Sequence, residues 1–191
     1  AIQQFIGDVD WGELDYLIID FPPGTSDEPL TVAQNLPDID GMVIVTTPQD
    51  VALLDSRKSI TFANSLKVDV IGVIENMSGY TVRGKAPAGT ELELAAPGGK
   101  TIRVTTDENG DWAGTLDIFK AGGGQKTAEE FGVPFLGKLP FDPGFVRGGD
   151  DGVHRIVSEP EGPSAIAFNK VVENIQHKVE SASNDGGLEI I

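Results

Sequence analysis

Gly41-Met42-Val43-Ile44-Val45 and Val70-Ile71-Gly72-Val73-Ile74 are two apolar runs rich in β-branched residues, with a helical stretch over 51–64 between them. Neither run alternates with polar residues. A strand with one wet face alternates; a continuous run belongs to a strand covered on both faces, as in a parallel sheet between helices. Tyr16-Leu17-Ile18-Ile19, closed by Asp20, reads as a further strand of this kind. Pro29 suits the first turn of a helix capped by Ser26 or Asp27. Strand and helix thus alternate through the first third, which predicts an α/β layered fold. The last third continues the rhythm. Gln125–Phe131 reads as a helix entered through Gly122-Gly123-Gly124, and Phe135–Leu139 as a strand. Ser164–Val179 reads as a long helix with Ala165, Phe168, Val172, Ile175 and Val179 on one apolar stripe. From Ser181 onward a small, polar, Gly-containing sequence predicts a frayed, disordered tail over 181–191.

The middle is different in kind. Leu92 and Leu94 alternate with Glu91 and Glu93, and Ile102 and Val104 with Thr101, Arg103 and Thr105. Pro97-Gly98-Gly99 and Asn109-Gly110 are turn signals. Period two with tight turns predicts antiparallel hairpins. Residues 81–116 are therefore read as a small β insertion that divides the α/β domain into 1–80 and 117–180.

Composition removes several function classes. The chain has 191 residues, 30 acidic against 14 basic, a net charge of −16, two His and no Cys. Phosphate-backbone recognition needs clustered Lys and Arg, so nucleic acid is excluded as a major partner, and anionic membrane surfaces are disfavoured. Without cysteine there are no disulfides, thiolate metal sites or Cys nucleophiles. No stretch has the apolar length of a membrane span and no signal-peptide pattern opens the chain, so a cytoplasmic location is expected.

The segment Asp15-Tyr16-Leu17-Ile18-Ile19-Asp20-Phe21-Pro22-Pro23-Gly24-Thr25 carries the first chemical signal. A strand ending in Asp sets a carboxylate at the carboxyl edge of the sheet, where open α/β folds bind ligands. There Asp20 can hold Mg²⁺ through water, and the turn after it can aim the Gly24 N–H at a terminal phosphate. Taken alone, an apolar run closed by Asp is also an ordinary strand end. Gly122-Gly123-Gly124 lacks the Lys-Ser/Thr pair of a phosphate loop and reads as a flexible helix entry.

Four segments in order resemble one family. Asp20–Asp27 resembles the switch-II segment of Mrp/ApbC-type P-loop ATPases, relatives of MinD and ParA. Val45–Asp55 and Gly72–Ser78 resemble the next two signatures. Ile118-Phe119 with the triple glycine, followed by Gly132–Pro143, resembles the closing part. The resemblance implies a Rossmann-like layered P-loop NTPase fold with a mostly parallel sheet and bound ATP and Mg²⁺. It assigns Asp20 to the Mg²⁺ carboxylate, Pro22 and Gly24 to the γ-phosphate switch, and Asn76 to the adenine edge, where an amide offers both donor and acceptor. Pro140 and Asp142 fall in the loop beside the base. It also implies a dimer and a role in iron–sulfur cluster assembly or carriage, with iron–sulfur apoproteins as partners.

The chain departs from that pattern in three places. It starts 19 residues before Asp20, so the resembled family's glycine-rich Walker A loop is not in it. The expected fold is therefore N-terminally incomplete, with an exposed sheet edge, no catalytic residue of its own, and no ATPase activity in isolation. Where the family keeps a Cys-x-x-Cys for a bridging [4Fe–4S] cluster, this chain has the β insertion and no thiol, so cluster binding of that kind is not expected. The insertion itself has no counterpart. Two further readings stand beside the first. One is a non-catalytic binding module, or half of a split ATPase, using the insertion for protein contact. The other is a MinD/ParA-like positioning ATPase, disfavoured because no basic amphipathic helix ends the chain.

Overall fold

A computed structural model describes residues 2–22, 27–36 and 39–185. In chain order its elements are α1 (Ile2–Gly7), α2 (Asp27–Asn35), β1 (Met42–Thr46), α3 (Asp50–Leu66), β2 (Val70–Glu75), β3 (Tyr80–Lys85), β4 (Glu91–Ala96), a 3₁₀ turn (Pro97–Gly99), β5 (Lys100–Thr105), β6 (Asp111–Leu116), α4 (Gly123–Phe131), β7 (Phe135–Lys138), α5 (Pro143–Asp151), α6 (Arg155–Ser158) and α7 (Pro163–Asp185). β1, β2 and β7 form a parallel sheet in the order β1-β2-β7.

All six residues of the central strand β2 are buried. Its side chains divide between two cores, as an unbroken apolar strand requires. Val70 and Val73 pack with Ile44, Ile60, Ala63 and Ala128 under α3 and α4. Ile71 and Ile74 pack with Leu136 and Val171 under α7. The result is a three-layer α/β/α arrangement. Gly72 permits the close approach of β7, since a Cβ there would meet the Leu136 side chain at 2.6 Å and the Pro134 carbonyl at 2.7 Å.

The long C-terminal helix keeps its apolar stripe but exchanges one member of it, Val171 taking the place expected of Val172. Val171 is 3% exposed, whereas Val172 is 36% exposed. The sheet selects between them. Gly137 leaves a gap on β7 that the Val171 side chain fills, 2.8 Å from where a Cβ would sit. The Asn174 side-chain amide also donates to the Leu136 carbonyl at 2.7 Å, fixing the helix's rotation. Fraying from Ser181 is not seen: α7 continues to Asp185, and the Ser181 hydroxyl donates back to the His177 carbonyl at 2.6 Å. Residues 186–191 lie outside the described part, as does Ser26.

The expected strand at Tyr16–Ile19 is absent. Residues 16–20 adopt no regular structure, and Ile18 is 89% exposed. Apolar, β-branched sequence sets a preference, but a strand exists only where a neighbour completes its hydrogen-bond ladder. β2 is closed on both sides by β1 and β7. Within the described residues β1 pairs with β2 alone, and Val45 on it is 58% exposed.

Between β2 and α4 lie two nested hairpins. β3 pairs antiparallel with β6, from Tyr80↔Leu116 to Lys85↔Asp111, and β4 with β5, from Glu91↔Thr105 to Ala96↔Lys100. The turn before β6 is set by Asp107, whose carboxylate accepts from the N–H groups of Asn109 (2.8 Å) and Asp111 (2.9 Å), with Gly110 at φ 76°. The two ribbons pack on each other through Gly114, where a Cβ would meet Leu94 at 2.8 Å and Val104 at 3.2 Å. The pair therefore has its own small apolar interior. Since Tyr80 and Leu116 are paired neighbours, the ends of this unit lie together. We expect a variant in which residues 81–115 are replaced by an Asn-Gly turn to retain cooperative unfolding, with a melting temperature within about 5 °C of the parent, read by circular dichroism. A broad, non-cooperative melt would show instead that the hairpins support the sheet.

Candidate functional site

The carboxyl end of β2 builds the site. Glu75 is the last residue of the strand and is completely buried. Its two carboxylate oxygens receive three donors: the Ser78 hydroxyl at 2.5 Å, the Gly122 N–H at 3.0 Å and the Gly124 N–H at 2.7 Å. It thus caps the N-terminus of α4, whose own cap position, Gly122, has no side chain to do so. Gly123 and Gly124 are buried, and a Cβ on Gly124 would meet the Glu75 side chain at 2.9 Å. The triple glycine is therefore not a flexible helix entry. It is a close-packed seat for an internal carboxylate. The sequence around Glu75 shows only Ser78 of its partners, because the two glycine donors lie 47 and 49 residues away.

Asn76 follows directly. Its N–H donates to the Thr46 carbonyl at 2.7 Å, and its side-chain oxygen accepts from the Met77 N–H at 2.9 Å, with Met77 in the left-handed region at φ 54°. The turn after Asn76 runs alongside the segment after β7. Leu139 N–H donates to Glu75 O (2.8 Å), Ser78 N–H to Leu139 O (2.9 Å) and Phe141 N–H to Gly79 O (2.8 Å). This lattice brings Asn76 and Pro140 together, both half-buried. Phe141 also packs edge-on against Tyr80 (5.9 Å between ring centres) and Phe119 (6.3 Å), joining the base of the β insertion to the same loop.

Asp142 is placed here too, with its carboxylate already engaged. It caps α5 by accepting from the Gly144 N–H at 2.8 Å, and it accepts from the Ser164 hydroxyl at 2.7 Å and the Arg155 Nε at 3.2 Å. Burial pushes its carboxyl up, but those three hydrogen bonds and the Arg155 charge outweigh it and hold the group below the ordinary carboxylate range.

Asp20 and Pro22 stand apart. Both are exposed, on the irregular segment before α2. Gly24 lies outside the described residues. Among the described residues no group of three or more His, Cys, Asp or Glu side chains is arranged to hold a metal ion. Asp20 is in no such group, and the chain, which has no cysteine, supplies no thiolate to an iron–sulfur cluster. What the described residues bring to the carboxyl edge of the sheet is Asn76 and Pro140, on one backbone lattice.

The model of the family described as ParA, NUBPL iron-transfer P-loop NTPase, matches residues 1–92 and 107–176. The internal stretch left unmatched, 93–106, falls in the β4–β5 hairpin, and the match ends before the last residues of α7. Among curated proteins, the iron-sulfur cluster carrier protein of Methanocaldococcus jannaschii is 42% identical over 180 residues, covering 94% of this chain and 52% of that protein. The protein of the same name from Pyrococcus furiosus is 42% identical over 186 residues, covering 97% and 53%. The chain spans about half the length of the curated relatives it matches. Among solved structures, a nucleotide-binding protein from Archaeoglobus fulgidus in complex with ADP superposes with a TM-score of 0.55 at 32% identity, covering 87% of this chain and 56% of that one. MinD from Pyrococcus horikoshii, complexed with Mg-ADP, shares the fold with a TM-score of 0.57 at 19% identity, covering 91% and 55%.

Proposed function

Because the chain belongs to the ParA family of NUBPL-type iron-transfer P-loop NTPases, we propose that it forms the base-binding portion of a nucleotide site in an iron–sulfur cluster carrier. One observation carries this reading. The backbone lattice after β2 and β7 sets Asn76 beside Pro140 at the carboxyl edge of a parallel sheet, where ligands of open α/β folds bind. A relative 32% identical to the chain holds ADP. Asn76 offers a carboxamide to the edge of a purine, and Pro140 offers an apolar surface to its face. Asp142 acts through the backbone, by fixing where α5 begins. Asp20, Pro22 and Gly24 are assigned to the phosphate and Mg²⁺ end. Hydrolysis, a dimer and a cytoplasmic setting belong to the same proposal.

That phosphate end is not assembled by the described residues, and the wall they build would hold a nucleotide through its base alone. Backbone donors and Mg²⁺ supply most of the hold on a triphosphate in P-loop proteins. Titrating a fluorescent ATP analogue with Mg²⁺ into the chain should give no saturable binding at micromolar concentrations and no phosphate release. Tight binding, or turnover, would refute the division of labour proposed here. The second reading, half of a split ATPase, draws support from the open edge of β1 and the exposed run Leu14–Ile19. A strand contributed by another polypeptide would cover both. In that reading the hairpin unit is a further contact surface.

A further inference from the structure

Away from Asn76, a cleft of about 460 Å³ opens between the start of α3 and the turn that leads into α4. Arg57, Lys120 and Lys126 line it, with Asp50, Leu53 and Leu54. Three cations in one cleft is a strong bias on a chain with 14 basic residues and a net charge of −16. An ion pair from the Lys120 Nζ on the turn to the Asp50 carboxylate on α3 joins the two walls. Lys120 holds that position at φ 72°, a conformation that side chains other than glycine rarely adopt. Arg57 and Lys126 act on the same carboxylate through space, and Lys120 beside it holds the Asp50 carboxyl below its ordinary range. Arg57 is also paired with Glu130 at 2.7 Å. Among the described residues, Lys126 forms no ion pair. The cap of α3, Gln49, makes no side-chain hydrogen bond to the helix. Leu54 at the rim is 56% exposed.

We propose that this cleft binds a small organic anion, one phosphate or carboxylate group on a short apolar body, with Asp50 as an internal stand-in for the ligand's charge. Lys120, Lys126 and Arg57 would surround the anionic group. Leu53 and Leu54 would meet the apolar body. The volume lies in the range of small-molecule sites. The proposal stands apart from the nucleotide reading, since none of these residues belongs to the Asn76–Pro140 wall.

The test uses the whole chain and two probes, phenyl phosphate and inorganic phosphate, followed by amide chemical shifts. Phenyl phosphate should perturb Asp50, Leu54, Lys120 and Lys126 together and saturate at a concentration about tenfold below inorganic phosphate, the difference being the buried ring. Lys126→Glu should weaken phenyl phosphate about tenfold, and Asp50→Asn should strengthen it severalfold by removing the stand-in. All these side chains are at the surface, and Lys126→Gln provides a milder variant if charge reversal disturbs α4. Equal affinity for the two probes, shifts spread over other cations of the protein, or indifference to both substitutions would overturn the proposal.

Discussion

Glu75→Ala should lower the free energy of unfolding by about 4 kcal/mol and the melting temperature by roughly 10 °C. Two effects add. The Gly124 N–H loses a buried acceptor, and Gly122 and Ser78 lose theirs, at about 1–3 kcal/mol for each group left unsatisfied. The space left by a completely buried side chain also cannot collapse, because β2 is held on both sides by β1 and β7. Glu75→Gln separates the two. It keeps the volume but replaces one acceptor oxygen with a donor NH₂, which must face the Gly122 or the Gly124 N–H. We expect it to cost about 2 kcal/mol in urea denaturation and to shift the Asn76 and Gly124 amide resonances. A Gln variant as stable as the parent would show that the glycine N–H groups are satisfied elsewhere, and the clamp would be wrong. The consequence for the site is direct. Asn76 is the next residue, so whatever loosens Glu75 moves the carboxamide assigned to the purine.

Glu75 also shows where sequence reading stops. The βαβ core was legible because its signal is local and redundant: Gly41–Val45 and Val70–Ile74 are runs without polar residues, and the helix between them has no competing pattern. The hairpins were legible for the same reason, with period two and glycine turns agreeing. Three features were not. Tyr16–Ile19 has the composition of a strand, but strand formation is a property of the pair, and composition says nothing about the partner. Val171 and Val172 are equally good on helical spacing; the choice between them is made by the missing Cβ of Gly137 on another element. Glu75 drew no reading of its own from the sequence, and its meaning depends on a glycine turn 47 residues later. Of the candidate site, Asn76 and Pro140 were placed by family resemblance and share one backbone lattice. Asp142, named for proximity to a base, spends its carboxylate on protein donors.

That engagement makes Asp142 the residue through which acid should loosen the site. Its side chain is only 17% exposed and ties together the starts of α5 and α7 and the guanidinium of Arg155. Arg155 in turn pairs with Glu159. Asp142→Ala removes the cap of α5 and an acceptor for both Ser164 and Arg155, and we expect a loss of about 2–3 kcal/mol at pH 7. The pH dependence follows from the sign of the shift. The folded carboxyl lies below its ordinary value, so the unfolded chain binds the proton more readily. Its contribution is complete above the ordinary aspartate value of about 4, and it is lost as pH falls through the lowered one. Urea midpoints measured from pH 7 to about pH 3 should therefore converge: the parent falls more steeply than Asp142→Ala in the acid range, and the gap between them narrows. Asp142→Asn should sit between the two at pH 7, because an amide still caps a helix but cannot hold Arg155 by charge. A gap that stays constant down to pH 3 would mean that the carboxyl is protonated in both states alike, and the three donors would then need another account. If the gap narrows, the start of α5, and with it the loop that carries Pro140, is fixed by an ionised group held by protein donors.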